Sequence, residues 1–328
     1  MNIAIHCEQF DGRGSGKAPL DYGIALKSIL GHNISFITSN KSKNEGITKL
    51  KENFNVFTYN YDHKPHNTSH INHEIESFID TNKIDFIHMI KSGENDNIIP
   101  SNCKSGMHCV FNMTAPHGTV YAGVSKYLAK KFNKSLYVPH IIKNINPTIN
   151  VREEMGISED TIIIGRIGGV DSFDLPFVHE AIRQILELRK DIIFFFLSTT
   201  PFYYHDRIVY IPWVESEEEK FNIIHSCDIM LHGRCMGETF GLACGEFSVA
   251  NKPIITWSGR GNPNYDKCHI ELLDGKALLY NDGHDLVDIL SNLNRKELKN
   301  NKWDTYSTKF DDVSVMNQYN NTFLNNNQ

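Results

Sequence analysis

Short runs of β-branched and aromatic residues alternate with stretches of helical spacing along almost the whole chain. In the first part the apolar runs are NIAIHC, ISFIT, NVFTY, IDFIHMI and HCVFN, and YGIALKSIL between the first two has helical periodicity. YAGVS followed by KYLAKKF adds a strand and a helix, and LYVPHI then leads into a polar stretch, 143–150, with the composition of a linker. A second series opens at TIIIGRIGG. It continues through FVHEAIRQILELRK (helix), IIFFFLS and RIVYIP (strands), EEEKFNIIHSC (helix), DIMLHG (strand), GLACGEFSVAN (helix) and PIITW (strand). Repeated βα units build parallel sheets covered on both faces. The expected architecture is α/β, with two Rossmann-like doubly wound domains over residues 1–145 and 150–305, followed by a terminal helix and frayed tail over 306–328. Such sheets bind ligands outside the carboxyl ends of their strands. Chemistry is therefore expected in a cleft between the two domains.

Composition narrows the function. The 328 residues exceed what one hydrophobic core usually holds, and 40% hydrophobic with 22% charged residues is ordinary for a globular protein. A net charge of −6 with scattered Lys and Arg leaves no basic stripe for phosphates, which argues against a nucleic-acid partner. The seven cysteines form no CxxC pair, as in proteins that keep reduced thiols. MNIAIHCEQF lacks a charged, apolar leader, and the longest apolar run, 192–197, is only core-strand length. A soluble cytoplasmic protein without a transmembrane segment is expected, with peripheral membrane contact left open. The Asn-x-Ser/Thr triplets at Asn33, Asn67, Asn112 and Asn133 carry no weight without a secretion signal.

The strongest chemical signal is Glu238-Thr-Phe-Gly-Leu-Ala-Cys-Gly-Glu246. A helix starting near Gly241 would leave Glu238 in the preceding loop and Glu246 about one and a half turns along. Its N-terminus, with the backbone of Thr239, Phe240, Gly241 and Leu242, would offer unpaired N–H groups and a positive dipole end to a diphosphate. A carboxylate also matches two vicinal sugar hydroxyls. The competing explanation is that both Glu side chains are solvated helix-face residues. In the first half, GRGSGKA lies between a strand and a helix but is no Walker A motif, because Ala18 stands where Ser or Thr would bind magnesium. His73-Glu74 and His179-Glu180 start no HExxH, and no Asp-x-Asp occurs, so no metal site is expected.

The run CDIMLHGRCMGETFGLACGEFSVANKPIIT resembles the donor-binding segment of retaining glycosyltransferases of the two-Rossmann-domain (GT-B) type, specifically the family-4 group with its Glu-x7-Glu motif. The resemblance implies that Glu238 contacts the donor sugar and Glu246 the ribose hydroxyls. IIIGRIGGVDSFD resembles the segment whose Arg, here Arg166, grips the donor diphosphate; Gly168 and Gly169 would add backbone N–H groups. The second basic residue usual a few positions later is missing, and Asp171 and Ser172 stand there instead. GRGSGKA is similar to the glycine-rich first loop, which places Gly14 and Gly16, with Arg13 and Lys17, towards donor phosphates or acceptor. CVFNMTAPHGTVYAGVSKYL suggests His117 as a donor-sugar contact, against the alternative of a structural or merely exposed His. IVYIPWVESEEEKFNIIHSCD resembles the base-lining stretch, with Trp213 and Val214 contributing, although Trp213 could equally fill core.

The implied activity is metal-independent transfer of a hexosyl group, with retention, from a UDP- or GDP-sugar to a hydroxyl on a glycan, lipid or protein-linked acceptor. His117, Arg166 and Glu238 would act at the reacting centre. The donor would bind the C-terminal domain and the acceptor the N-terminal one. Three rivals share the scaffold. They are an NDP-sugar epimerase, a phosphorylase carrying lysine-linked pyridoxal phosphate, and a catalytically silent GT-B subunit that recruits a partner transferase.

Overall fold

The computed structural model describes residues 1–10, 14–61, 68–214 and 216–325, with side chains omitted at 14, 15, 44, 45 and 49. The chain divides into two units, Met1–Ile141 with Phe310–Gln328, and Ile142–Lys309.

The first unit holds β1 (Asn2–His6), β2 (Asn33–Ser39), β3 (Asn55–Tyr59), β4 (Phe86–Lys91), β5 (Lys104–Cys109) and β6 (Val120–Gly123), all parallel in the order β3-β2-β1-β4-β5-β6. The second holds β7 (Ile162–Ile167), β8 (Ile192–Leu197), β9 (Ile208–Ile211), β10 (Ile229–His232), β12 (Ile254–Trp257) and β14 (Leu278–Tyr280), parallel in the order β14-β12-β10-β7-β8-β9. A short ribbon of β11 (Gly237–Glu238) and β13 (Asp266–Lys267) stands apart from this sheet. Each unit is thus a doubly wound, Rossmann-like α/β body, the architecture expected from the alternating pattern.

Burial explains the central strands. Every residue of β7 is buried, and Phe194, Phe195 and Phe196 fill the middle of β8, as expected for strands covered on both faces. The first sheet packs Ile71, Ile75 and Ile79 of the Ser69–Asn82 helix against Ile87 and Met89.

Two local features differ from the sequence reading. The helix after β1 already begins at Gly14 and runs to Ser28, so Gly14, Gly16 and Lys17 lie in its first turns rather than in a loop. Lys17 Nζ is 2.6 Å from Asp21 Oδ2, an i,i+4 pair that favours helix from this point. Gly12 and Arg13 lie outside the described residues. The terminal segment, which the pattern set apart as residues 306–328, groups with the first unit from Phe310 onward. Its Asp312–Tyr319 helix, extended by a π-helical turn to Leu324, buries Val315, Met316, Tyr319 and Phe323. Phe323 fills the space above Gly106, where a Cβ would sit only 2.7 Å from its ring, and Gln318 Nε2 donates to the Tyr137 carbonyl at 2.8 Å.

No helix among the described residues is long and apolar enough to cross a membrane. None of the seven cysteines forms a disulfide.

Candidate active site

In the second sheet the chain runs outward from β7 through β8 to β9, then returns to β10 on the other side of β7. The β7/β10 boundary is therefore the topological switch point, where connecting loops diverge and leave a crevice at the strand carboxyl ends. Arg166 and Gly168 lie at the end of β7, while His232 ends β10 and Gly233 and Arg234 follow it. The two loops are tied together: Asp174 N donates to the Gly233 carbonyl at 3.1 Å, and Asp174 Oδ1 accepts from Cys235 N at 2.7 Å.

Glu238 and Thr239-Phe240 sit between two glycines with left-handed backbones, Gly237 (φ 68°) and Gly241 (φ 88°). A Cβ on Gly237 would lie 2.1 Å from the Asp266 carbonyl oxygen, so only glycine fits there. Phe240 is buried and anchors the turn, while Thr239 and Leu242 are partly exposed. Gly241 caps the Leu242–Val249 helix but has no side chain to occupy the first-turn N–H groups, which have no acceptor within the helix. Glu238 thus precedes the helix and Glu246 lies inside it, as the spacing predicts.

Both Glu238 oxygens are engaged. Oε1 is 3.3 Å from His232 Nε2, and Oε2 accepts from Arg234 Nη1 at 3.0 Å. Burial alone would raise the carboxyl pKa. The His232 hydrogen bond and the charge of Arg234 outweigh it and hold the pKa at about 2. Behind His232 runs a buried chain: His232 Nδ1 to Thr256 Oγ1 at 2.9 Å, and Thr256 Oγ1 to His269 Nε2 at 3.0 Å. Burial pushes the His269 pKa well down, so that ring is neutral.

Glu246 is only 4% exposed and pairs with Lys220 Nζ at 2.7 Å; Lys220, equally buried, also reaches Glu217 at 2.8 Å. The solvated-face alternative for Glu246 is thereby removed, since a buried carboxylate needs such a partner. Arg166 is 3% exposed. Its Nη1 donates to Ser198 O (3.0 Å) and Thr199 Oγ1 (2.6 Å), its Nη2 to Gly169 O (2.7 Å) and Ser172 Oγ (2.8 Å). Burial lowers its pKa to about 10, so it stays charged at neutral pH. The guanidinium therefore braces the glycine turn at 168–172.

Other sequence candidates are placed as follows. Trp213 and Val214 lie between β9 and the Glu217–Ser226 helix; Trp213 is 42% exposed, which removes the core-filling alternative. His117 belongs to the first unit, closer to the start of β6 than to the end of β5. Its Nδ1 meets the Ala115 carbonyl at 2.6 Å, its ring packs on Tyr121, and its Nε2 has no hydrogen-bond partner among the described residues. Gly14 and Gly16 also belong to the first unit. Sequence reasoning missed His232, Arg234, Thr256, His269 and Lys220. The first two were accessible in principle, because HGR closes and follows the predicted strand DIMLHG and so falls at its carboxyl end. Among the described residues no group of three or more His, Cys, Asp and Glu is arranged to hold a metal ion.

The fold defined by these two units is the GT-B class, and it recurs in solved structures along nearly the entire chain. Anabaena HepE in complex with UDP-glucose superposes with a TM-score of 0.74 at 10% identity, covering 98% of this chain and 99% of that one. A glycosyltransferase from Rickettsia africae gives 0.69 at 14% identity, with 98% and 94% covered. A Listeria monocytogenes protein assigned as a UDP-N-acetylglucosamine 2-epimerase gives 0.61 at 12% identity, with 100% and 97% covered. At such identities the likeness establishes the fold alone. No family model and no curated protein matches the sequence.

Proposed function

We propose that this chain is a glycosyltransferase that moves a hexosyl group from a nucleoside-diphosphate sugar to an acceptor hydroxyl, with retention and without a metal ion. The observation that carries this reading is the convergence at one switch point of two arginines, an open helix N-terminus and the paired carboxylates Glu238 and Glu246. Anions are stabilised at a helix N-terminus and by guanidinium charge, and here that charge would offset what builds on the departing diphosphate. Arg166 contributes field and holds the 168–172 turn, so that Gly168 borders the phosphates. Glu238, ionised at any physiological pH, accepts from donor-sugar hydroxyls. Glu246 takes the ribose hydroxyls by exchanging part of its Lys220 contact, and Trp213 and Val214 face the base. In the first unit, His117 with its unpartnered Nε2, and Gly14 and Gly16 at a helix start, are the proposed contacts to donor or acceptor. The bound complexes of HepE, with UDP-glucose and with UDP and glucose, support a UDP-sugar as donor. The protein acts in the cytoplasm.

The test is a thermal-shift panel with UDP, GDP, ADP and CMP, with and without magnesium. Stabilisation by one diphosphate without metal is expected, because a ligand of the folded state raises stability by mass action. No shift with any of them at millimolar concentration would refute the proposal. The epimerase-like neighbour gives a second reading specific grounds. NMR of the donor separates the two. A transferase releases nucleotide in proportion to acceptor, whereas an epimerase inverts a sugar carbon and leaves the nucleotide attached.

A further inference from the structure

We propose that Arg234 binds the donor diphosphate directly and so replaces the second basic residue missing after β7. The inference rests on the nucleotide-sugar reading of the site and identifies which side chain supplies its second positive charge.

Counting donors leads to Arg234. A guanidinium has five N–H groups, and bidentate phosphate binding needs two neighbouring ones that are free. The four terminal N–H groups of Arg166 are spent on Ser198, Thr199, Gly169 and Ser172. At the position where a second base would stand, Asp171 accepts from Thr200 at 2.8 Å, and Ser172 is already bonded to Arg166. Lys220 is enclosed between Glu246 and Glu217. Arg234 differs from all of these. Its side chain is 26% exposed, and Nη1 bonds only Glu238 Oε2, so Nη2 and Nε keep donors to spare.

Its position is equally specific. Arg234 lies directly after β10, on the opposite lip of the switch point from Arg166, and both guanidinium groups feel the charges of Glu238 and Asp174. The ion pair with Glu238 fixes one edge of the fork and leaves the other free for an anion. Arg suits this task because its planar fork matches two phosphate oxygens, which a lysine cannot do.

Isothermal titration of the full chain with UDP and UMP tests the proposal, using wild type, Arg234→Gln, Arg234→Lys, Glu238→Gln and the Arg234→Gln/Glu238→Gln double variant. Loss of a bidentate phosphate contact should weaken UDP by about tenfold or more in Arg234→Gln, with UMP changed by less than about threefold. The same factor should persist in the Glu238→Gln background. If Arg234 only neutralises Glu238, the factor disappears in that background and the proposal fails. It also fails if Arg234→Gln binds UDP like wild type. Wild type that binds neither UDP, GDP, ADP nor CMP would sink the site reading itself, a result distinct from unaffected binding in the variant. Should Arg234→Gln not fold, Arg234→Lys decides. A selective weakening of UDP supports a bidentate contact, and unchanged UDP affinity excludes it.

Discussion

His232 and Glu238 share a hydrogen bond whose direction is set by the ionised carboxylate and passed on to the residues behind the ring. An ionised Glu238 can only accept, so His232 Nε2 carries the proton. A ring protonated at Nε2 alone accepts at Nδ1 from Thr256, whose oxygen in turn accepts from His269 Nε2. His269 Nδ1 is left bare, and it is indeed buried without a hydrogen-bond partner.

The first prediction follows from that order. Nitrogen-15 NMR at pH 8 should find both His232 and His269 protonated at Nε2. Thr256→Val should release His232 to a mixture of tautomers and weaken its hold on Glu238. An Nδ1-protonated His269 in wild type would show that the chain runs the other way.

The Lys220–Glu246 pair makes a second prediction. Removing one member of a buried ion pair strands the other charge, which typically costs about 3–5 kcal/mol, while replacing both by apolar residues costs far less. Urea denaturation should therefore rank Lys220→Met well below the Lys220→Met/Glu246→Met double variant. Glu246→Ala should in addition weaken nucleotide binding, and unchanged affinity would remove its ribose role.

Acid sensitivity of the first unit is the third. His108 is fully buried between His88 Nε2 (3.2 Å) and the Val138 carbonyl (2.8 Å), and burial lowers its pKa to about 4. His88 and His140 shift the same way by burial, and Tyr22, Tyr319 and Phe323 enclose the group, with Lys17 acting on His140 from the Gly14–Ser28 helix. The unfolded chain takes up protons first, so stability is complete above the ordinary histidine pKa and declines as pH falls towards 4. For His108 alone the decline is about 3 kcal/mol. Denaturation followed by circular dichroism from pH 7.5 to 4.5 should show a shallower slope in His108→Gln; parallel curves would contradict this.

A fourth concerns Gly237. Alanine there must accept both a positive φ and a Cβ at 2.1 Å from the Asp266 oxygen, so the β11–β13 pair should separate. A stability loss of about 2 kcal/mol or more is expected, together with loss of any nucleotide affinity. A crystal structure with the pair intact would argue against it.

The sequence revealed what depends on neighbours in the chain. Strands such as IIIGRI and IIFFFL announce themselves by composition, and Glu238 and Glu246 by their place around a glycine-rich helix start. Interactions between distant segments were hidden. Nothing local shows that Arg166 will be spent on Ser198 and Thr199, that Lys220 will meet Glu246, or that His269 will stand behind His232. The GSGK run was misjudged for another reason: glycines signal a loop, yet the helix begins among them and carries the Lys17–Asp21 pair in its first turns.

The return of residues 310–325 to the first unit also sets a timetable for synthesis. The second unit is complete on the ribosome while the first still lacks the helix that covers Tyr22, His88 and Phe86. Domains fold as units when their sequence has emerged, so the half that begins first finishes last. Its apolar flank stays open through translation of the whole second unit, the interval in which a chaperone would have most to protect.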